Sequence, residues 1–252
     1  MTEPPRVPSS PAQRAPLDIR FKHAMLLIDG KTPTEILQEQ IRENGVIVGP
    51  ERMLKVNHFV NHQVDPHLMS ICGKDLAVRF RGLGVTRLLS ARSGAILGHC
   101  CALPLRLPLV LALDQPPLTS SADTEVFQVS ASDTQGSSGS DGVRGRHPSG
   151  LISTLYCSSE FLCKDDRVLI IDAFLSTGST ARMCSELVAA AGASVVGFGF
   201  LIEKCFENGR ATLPTTNAAG ERIEFESLAQ LAAVTDGEIS FVNPLPTDDF
   251  KL

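Results

Sequence analysis

The stretch RVLIIDAFLSTGSTARM, residues 167 to 183, holds an acid and a run of small hydroxylated residues at the end of an apolar segment. Asp172 comes first, and Ser176, Thr177, Gly178, Ser179 and Thr180 follow before a helical pattern begins. The first N–H groups of a helix have no partner within it, and the helix dipole favours an anion there. Gly178 permits a positive φ or close approach of a ligand. The hydroxyls add donors, so a phosphate is the natural guest. The G-x-x-x-x-G-K-[ST] pattern of a Walker A loop is absent. Asp172 would repel a phosphate, so its chemistry must be toward a sugar hydroxyl or a metal. Acid and turn together point to a ribose phosphate. The same residues also fit an ordinary strand–loop–helix corner with a solvated aspartate.

Such a site needs a strand to deliver the acid and a helix to follow it. RVLIIDAF (167–174) predicts a buried strand, and STARMCSELVAAAGA (179–193) a helix with Ala181, Cys184, Val188 and Ala191 on one stripe. Gly192 is its expected stop. TPTEILQEQIRENG (32–45) predicts a helix capped by Thr34 and ended by Gly45. Asp65-Pro66 opens another, with Leu68, Met69, Cys72, Leu76 and Phe80 at helical spacing. VTRLLSA (85–91), LPLVLAL (107–113) and SVVGFGFLIEK (194–204) read as buried strands, VIVG (46–49) as a short one. RSGAILGHCCALPL (92–105) reads as a loop entering a helix, and LISTLYCSSEFL (151–162) as an edge strand. Apolar strands alternating with helices predict an α/β fold, a parallel sheet covered on both faces.

The expected organisation is a disordered, proline-rich extension over 1–34, one domain over 35–245 and a tail over 246–252. The domain carries a low-complexity insertion near 130–150, where almost every residue is small and polar. The formal net charge of −5 argues against a nucleic-acid partner. AILGHCCALPLRLPLVLAL is broken by Pro104, Arg106 and Pro108, so no membrane span is expected and the chain reads as soluble. The seven cysteines show no C-x-x-C pair for zinc, and read as thiols of a reducing compartment.

VLIIDAFLSTGSTA resembles the phosphoribosyl pyrophosphate (PRPP) motif of type I phosphoribosyltransferases. Three further segments resemble one branch of that family, the xanthine phosphoribosyltransferases. They are MLKVNHFVNHQVDPHLM (53–69), AGASVVGFGFLIEKCFENGR (191–210) and IEFESLAQLAAVTDGEISFV (223–242). The resemblance implies a central parallel sheet with helices on both faces, and a small hood built from the N- and C-terminal segments. It implies purine salvage: ribose 5-phosphate passes from PRPP to a 6-oxopurine, most directly xanthine, giving XMP and pyrophosphate. It places the 5′-phosphate on Ser176, Thr177, Gly178, Ser179 and Thr180, and the ribose hydroxyls at Asp172. Leu54, Asn61 and Lys204 match base contacts, and Arg92 in SARSG (90–94) matches the pyrophosphate loop. Taken alone, Leu54 also fits the core, Asn61 a turn, and Lys204 and Arg92 the solvated surface. Mg²⁺ is expected to arrive with PRPP, with Asp172 reaching it through a bound water. A cytoplasmic homodimer is the expected setting.

Two departures from the family pattern stand out. The second of two adjacent acids is replaced by Ala173, which holds neither hydroxyl nor metal-bound water; loss of one such hydrogen bond costs about 1–3 kcal/mol. The basic stretch expected after LPLVLAL reads LDQPPLTSS, where Asp114 has the wrong sign for pyrophosphate. Arg92, Mg²⁺, or Arg144 and Arg146 of the insertion would then carry that charge. These departures motivate a second reading, a catalytically impaired PRPP- or nucleotide-binding regulatory module.

Overall fold

The computed structural model describes residues 28–49, 53–117, 125–131, 154–235 and 238–242. Residues 1–27, the insertion from 132 onward with Arg144 and Arg146, and the tail 246–252 lie outside the described residues.

The central sheet is built from β3 (Arg87–Ala91), β4 (Leu109–Ala112), β7 (Arg167–Leu175), β8 (Ser194–Lys204), β9 (Glu224–Thr235) and β10 (Glu238–Phe241). Their spatial order is β10-β9-β8-β7-β3-β4. Every neighbouring pair from β4 to β9 is parallel. The edge corrects the expectation of a purely parallel sheet, because β10 runs antiparallel to β9. Only Asp236 and Gly237 separate these strands, too few for the crossover that parallel pairing demands.

Two smaller ribbons flank the sheet. β1 (Val46–Val48) pairs antiparallel with β2 (Met53–Lys55), and β5 (Val126–Ser130) with β6 (Thr154–Ser158). β6 is the strand expected at an edge. It pairs with β5, and Tyr156 bridges Leu113 just beyond β4.

Four α-helices cover the sheet among the described residues: α1 (Pro33–Asn44), α2 (Pro66–Arg79), α3 (Ala95–Leu105) and α4 (Ser179–Ala190). Asp65 caps α2 as its sequence predicts, accepting the N–H groups of His67 and Leu68 at 2.9 and 3.0 Å. In α1 the cap is Thr32, not Thr34. Pro33 fits the first helical position, and Thr32 and Glu35 close a reciprocal capping box.

The core has two halves. On one face Leu37 and Ile41 of α1, Leu68, Cys72 and Leu76 of α2, and Leu97 of α3 pack with Leu169, Ile171, Leu201 and Leu231. On the other, Met183, Cys184, Leu187 and Val188 of α4 pack with Leu89, Ile170, Phe198 and Phe200, and with Leu155 of β6. Each buried Leu, Ile or Phe contributes about 1.5–3 kcal/mol, so both faces hold the sheet rigid beneath its loops. No helix among the described residues is long and apolar enough to cross a membrane.

Candidate active site at the β3–β7 crevice

β3 and β7 are parallel neighbours, yet the helices that follow them cover opposite faces: α3 joins the first core and α4 the second. A crevice opens where adjacent strands send their connections apart, and ligands of open α/β sheets bind beyond the strand ends there. Asp172 and the Ser176–Thr180 run lie at that end of β7.

Asp172 is 4% exposed. Its Oδ1 accepts from Ser93 Oγ and from the Ala173 N–H, each at 2.7 Å. Both bonds fall on one oxygen, so Oδ2 is left for a further donor. Burial pushes the carboxyl up to about 6, against the lowering by the Ser93 and Ala173 bonds. Asp166, at the other end of the same strand region, behaves oppositely. Burial alone would raise it, but the Cys163 N–H and Arg87 outweigh burial and hold it low. A structural acid is thus neutralised by a cation, while Asp172 has no ion pair among the described residues. A buried acid without a cation, in a crevice, is the pattern of a functional group.

The loop after β3 is pressed against this acid. A Cβ on Gly94 would stand 2.5 Å from Asp172 Cα and 2.6 Å from Ile171 O, so only glycine allows the approach. Arg92 heads the same loop with its side chain 77% exposed, and Nη1 is 3.8 Å from Asp114 Oδ2. Asp114, the acid with the wrong sign for pyrophosphate, therefore faces Arg92, one of the cations expected to carry that charge.

Beyond β7, Ser176 and Thr177 lead into Gly178, the N-cap of α4 with φ +83°. Gly178 has no side chain to cap the helix, so the N–H groups of the first turn stay free of side-chain caps. Gly178 is buried not in the apolar core but against the segment 209–212: a Cβ there would stand 2.7 Å from Gly209 O and closer still to Thr212 Oγ1.

β8 ends on Glu203 and Lys204 beside the tip of β7, where Leu175 pairs with Glu203. Lys204 Nζ donates to Glu207 Oε1 at 2.9 Å, and the side chain is 12% exposed. An ammonium has three protons, so two remain for other acceptors. Glu203 is buried and accepts from Arg210 Nε at 2.9 Å and from Ser227 Oγ at 2.6 Å. Burial alone would raise its carboxyl, but those bonds outweigh it and hold it below the usual range.

Leu54 is buried in β2 and belongs to the first core, which also contains Ile202, Leu231 and Phe241. Lys204 pairs in register with Leu231, so the N-terminal ribbon shares a core with the end of the sheet that bears Lys204. Asn61 is exposed and ends a π-helix, Asn57–Asn61, a rare form often found at functional sites. The described contacts bring Asp172 together with the loop of Arg92, and the Gly178 turn with the segment after Lys204. They show no direct contact from Leu54 or Asn61 to that group. A cavity of about 500 Å³ lies beside the π-helix, lined by His58, Phe59, Gln63 and Asp65 among others, and is not lined by Asp172 or the turn.

Ser93, Gly209, Arg210 and Thr212 belong to this end of the sheet although sequence reasoning did not single them out. Ser93 had a signal, a hydroxyl beside Arg92. Gly209 and Arg210 end the resembling segment 191–210 without a role of their own there, and Thr212 lies just beyond it.

No cluster of three His, Cys, Asp or Glu side chains among the described residues could hold a metal. A lone Asp172 suits Mg²⁺, which keeps its waters and binds through one or two carboxylates and substrate phosphates.

No family model matches the chain. Among curated proteins, the xanthine phosphoribosyltransferase of Stutzerimonas stutzeri is 35% identical over 210 residues, 83% of this chain and all of that protein. That of Moorella thermoacetica is 34% identical, covering 83% of this chain and 96% of its own. Among solved structures, the adenine phosphoribosyltransferase of Rhodothermus marinus superposes with a TM-score of 0.55 at 25% identity, over 79% of this chain and 98% of that one. The fold is shared with an adenine phosphoribosyltransferase of Trypanosoma brucei, TM-score 0.59 at 19% identity, over 82% and 87% of the two chains.

Proposed function

Since the chain belongs to the xanthine phosphoribosyltransferase family, we propose that it transfers ribose 5-phosphate from PRPP to a 6-oxopurine in purine salvage. Xanthine is the preferred base, and XMP and pyrophosphate are the products. A ring nitrogen of the base bonds to C1 of PRPP as the C1–pyrophosphate bond breaks, and the base loses its N–H proton.

The observation that carries this reading is the buried Asp172 at the β3–β7 crevice, with no ion pair among the described residues, followed by the positive-φ Gly178 turn at the start of α4. The N–H groups of Ser176–Thr180 hold the 5′-phosphate. Asp172, oriented by Ser93, accepts from the ribose hydroxyls through Oδ2. Ala173 contributes its N–H alone. Arg92 turns from Asp114 to the pyrophosphate, where a positioned cation stabilises the departing charge. Asp172 would hold Mg²⁺ through a bound water, and the ion would supply charge neutralisation to the departing pyrophosphate. Lys204 donates to the 6-oxo group and has nothing to offer a 6-amino group, so adenine is rejected. Leu54 supplies an apolar wall for the base and Asn61 a polar contact.

The cysteines support a cytoplasmic setting: all seven are free. The names of the relatives favour turnover over a purely regulatory module. Incubating the purified chain with PRPP, Mg²⁺ and each purine in turn tests the reading. XMP from xanthine, with no AMP from adenine, is the expected result. Absence of nucleotide from every base overturns it.

A further inference from the structure

The phosphate turn and the base-side lysine are connected by the chain that leaves β8. After Lys204 come two 3-10 turns, Cys205–Glu207 and Gly209–Thr212, joined by Asn208 with φ +55°. The second turn is fixed at both ends. At one end the Arg210 guanidinium forks onto the buried Glu203 carboxylate, and its carbon lies 5.2 Å from the centre of the Phe225 ring. Ser227 and Gln230 of β9 hold the same carboxylate. At the other end the turn lies on the residues assigned to phosphate. Thr212 Oγ1 is 3.1 Å from Thr177 O and 2.7 Å from Gly209 O. A Cβ on Gly209 would come within 2.7 Å of Gly178 N and closer still to Ser176 O. Two glycines are thus pressed face to face, and the Thr212 hydroxyl has two carbonyls in reach, Gly209 O in its own turn at 2.7 Å and Thr177 O across the contact at 3.1 Å.

A phosphate cradle made of N–H groups works only if those groups keep their direction. Ser176 and Thr177 lie outside any helix or strand, so β7 and α4 alone leave the turn free to rotate. The Thr212 contact on the Thr177 carbonyl fixes that peptide plane. We propose that Thr212 is a positioning residue for the phosphate turn, held in register with the base-binding end of β8 by the Glu203–Arg210 pair. The proposal rests on the reading of residues 176–180 as the 5′-phosphate site. It goes beyond that reading by making the distance between phosphate and base a property of the segment 205–212.

Binding of ribose 5-phosphate, measured by calorimetry, tests this without requiring turnover. Thr212→Val keeps the shape of the side chain and removes the hydroxyl. Its Kd for ribose 5-phosphate should rise about tenfold, and Thr212→Ser should return it to within about twofold of the wild type. In the turnover assay the Val variant should raise KM for PRPP while leaving KM for xanthine unchanged. Equal ribose 5-phosphate affinity in wild type and Thr212→Val overturns the proposal. So does a Ser variant as weak as the Val variant. Should Thr212→Val fail to fold by circular dichroism, Arg210→Lys serves with the same readout, because it keeps the charge and loses the fork. Unchanged affinity there overturns the proposal equally. A wild type that binds ribose 5-phosphate but forms no nucleotide removes the assigned reaction and leaves the role of Thr212 to these variants. A wild type that binds none removes both.

Discussion

Ser93 Oγ donates to Asp172 Oδ1 at 2.7 Å, joining the loop after β3 to the end of β7 across 79 residues of sequence. The bond stabilises the charged form of an acid whose burial pushes it up to about 6. Ser93→Ala should therefore raise the pKa of Asp172 further. The acid limb of the pH–rate profile should move to higher pH, and kcat at pH 6 should fall more than kcat at pH 8. Initial rates across pH 5–9 check it.

Asp172→Asn separates stability from activity. A carboxyl whose folded pKa is raised binds its proton more tightly in the fold. Its contribution is fully present below the ordinary value of 3.8 and is lost as pH rises through about 6. At pH 7 the charged, buried acid opposes folding, and the neutral amide does not. The variant should melt above the wild type at pH 7, the difference closing near pH 3.5, and its turnover should drop about tenfold to hundredfold. Melting curves at the two pH values and one rate assay decide it.

Gly178 takes φ +83°, and a side chain there meets Thr212 Oγ1 and Gly209 O. Gly178→Ala should cost about 1–3 kcal/mol of stability by denaturant unfolding. It should also abolish the rise in melting temperature expected of the wild type with PRPP, because the turn must shift to admit the methyl group.

Asp114 faces Arg92 at 3.8 Å, with the guanidinium largely in solvent. Such a pair is worth about 1 kcal/mol or less and is screened by salt. Asp114→Asn should free Arg92 and tighten product inhibition by pyrophosphate about two- to fivefold at low ionic strength. The gain should fade in about 1 M salt. Inhibition constants at both ionic strengths measure it.

What could be read from the sequence followed from local physics. β7 and α4 announced themselves through a continuous apolar run and a stripe that includes Cys184 and Val188, and Asp65-Pro66 marked a helix start. Thr34 was the wrong threonine because two candidates flank Pro33, and only Glu35 in a capping box separates them. β5 was hidden because Val126, Phe127 and Val129 sit in a polar stretch, and their partners in β6 lie beyond the insertion. Lys204 stood out only through the family resemblance, because a lysine at a strand end equally fits the solvated surface, and no local signal pairs it with Glu207. Ser93 on Asp172, Arg210 on Glu203 and Thr212 on Thr177 join segments through the tertiary fold. No spacing in the chain announces such pairs.

The central claim is that the turn after β7 is a cradle for the 5′-phosphate of PRPP, with Asp172 beside the ribose. A crystal structure of the chain with PRPP and Mg²⁺ measures this directly. The account predicts phosphate oxygens within about 3.2 Å of backbone nitrogens in residues 176–180, and a ribose hydroxyl at the same range from Asp172 Oδ2. A phosphate seated elsewhere, with those nitrogens turned to protein alone, would contradict it.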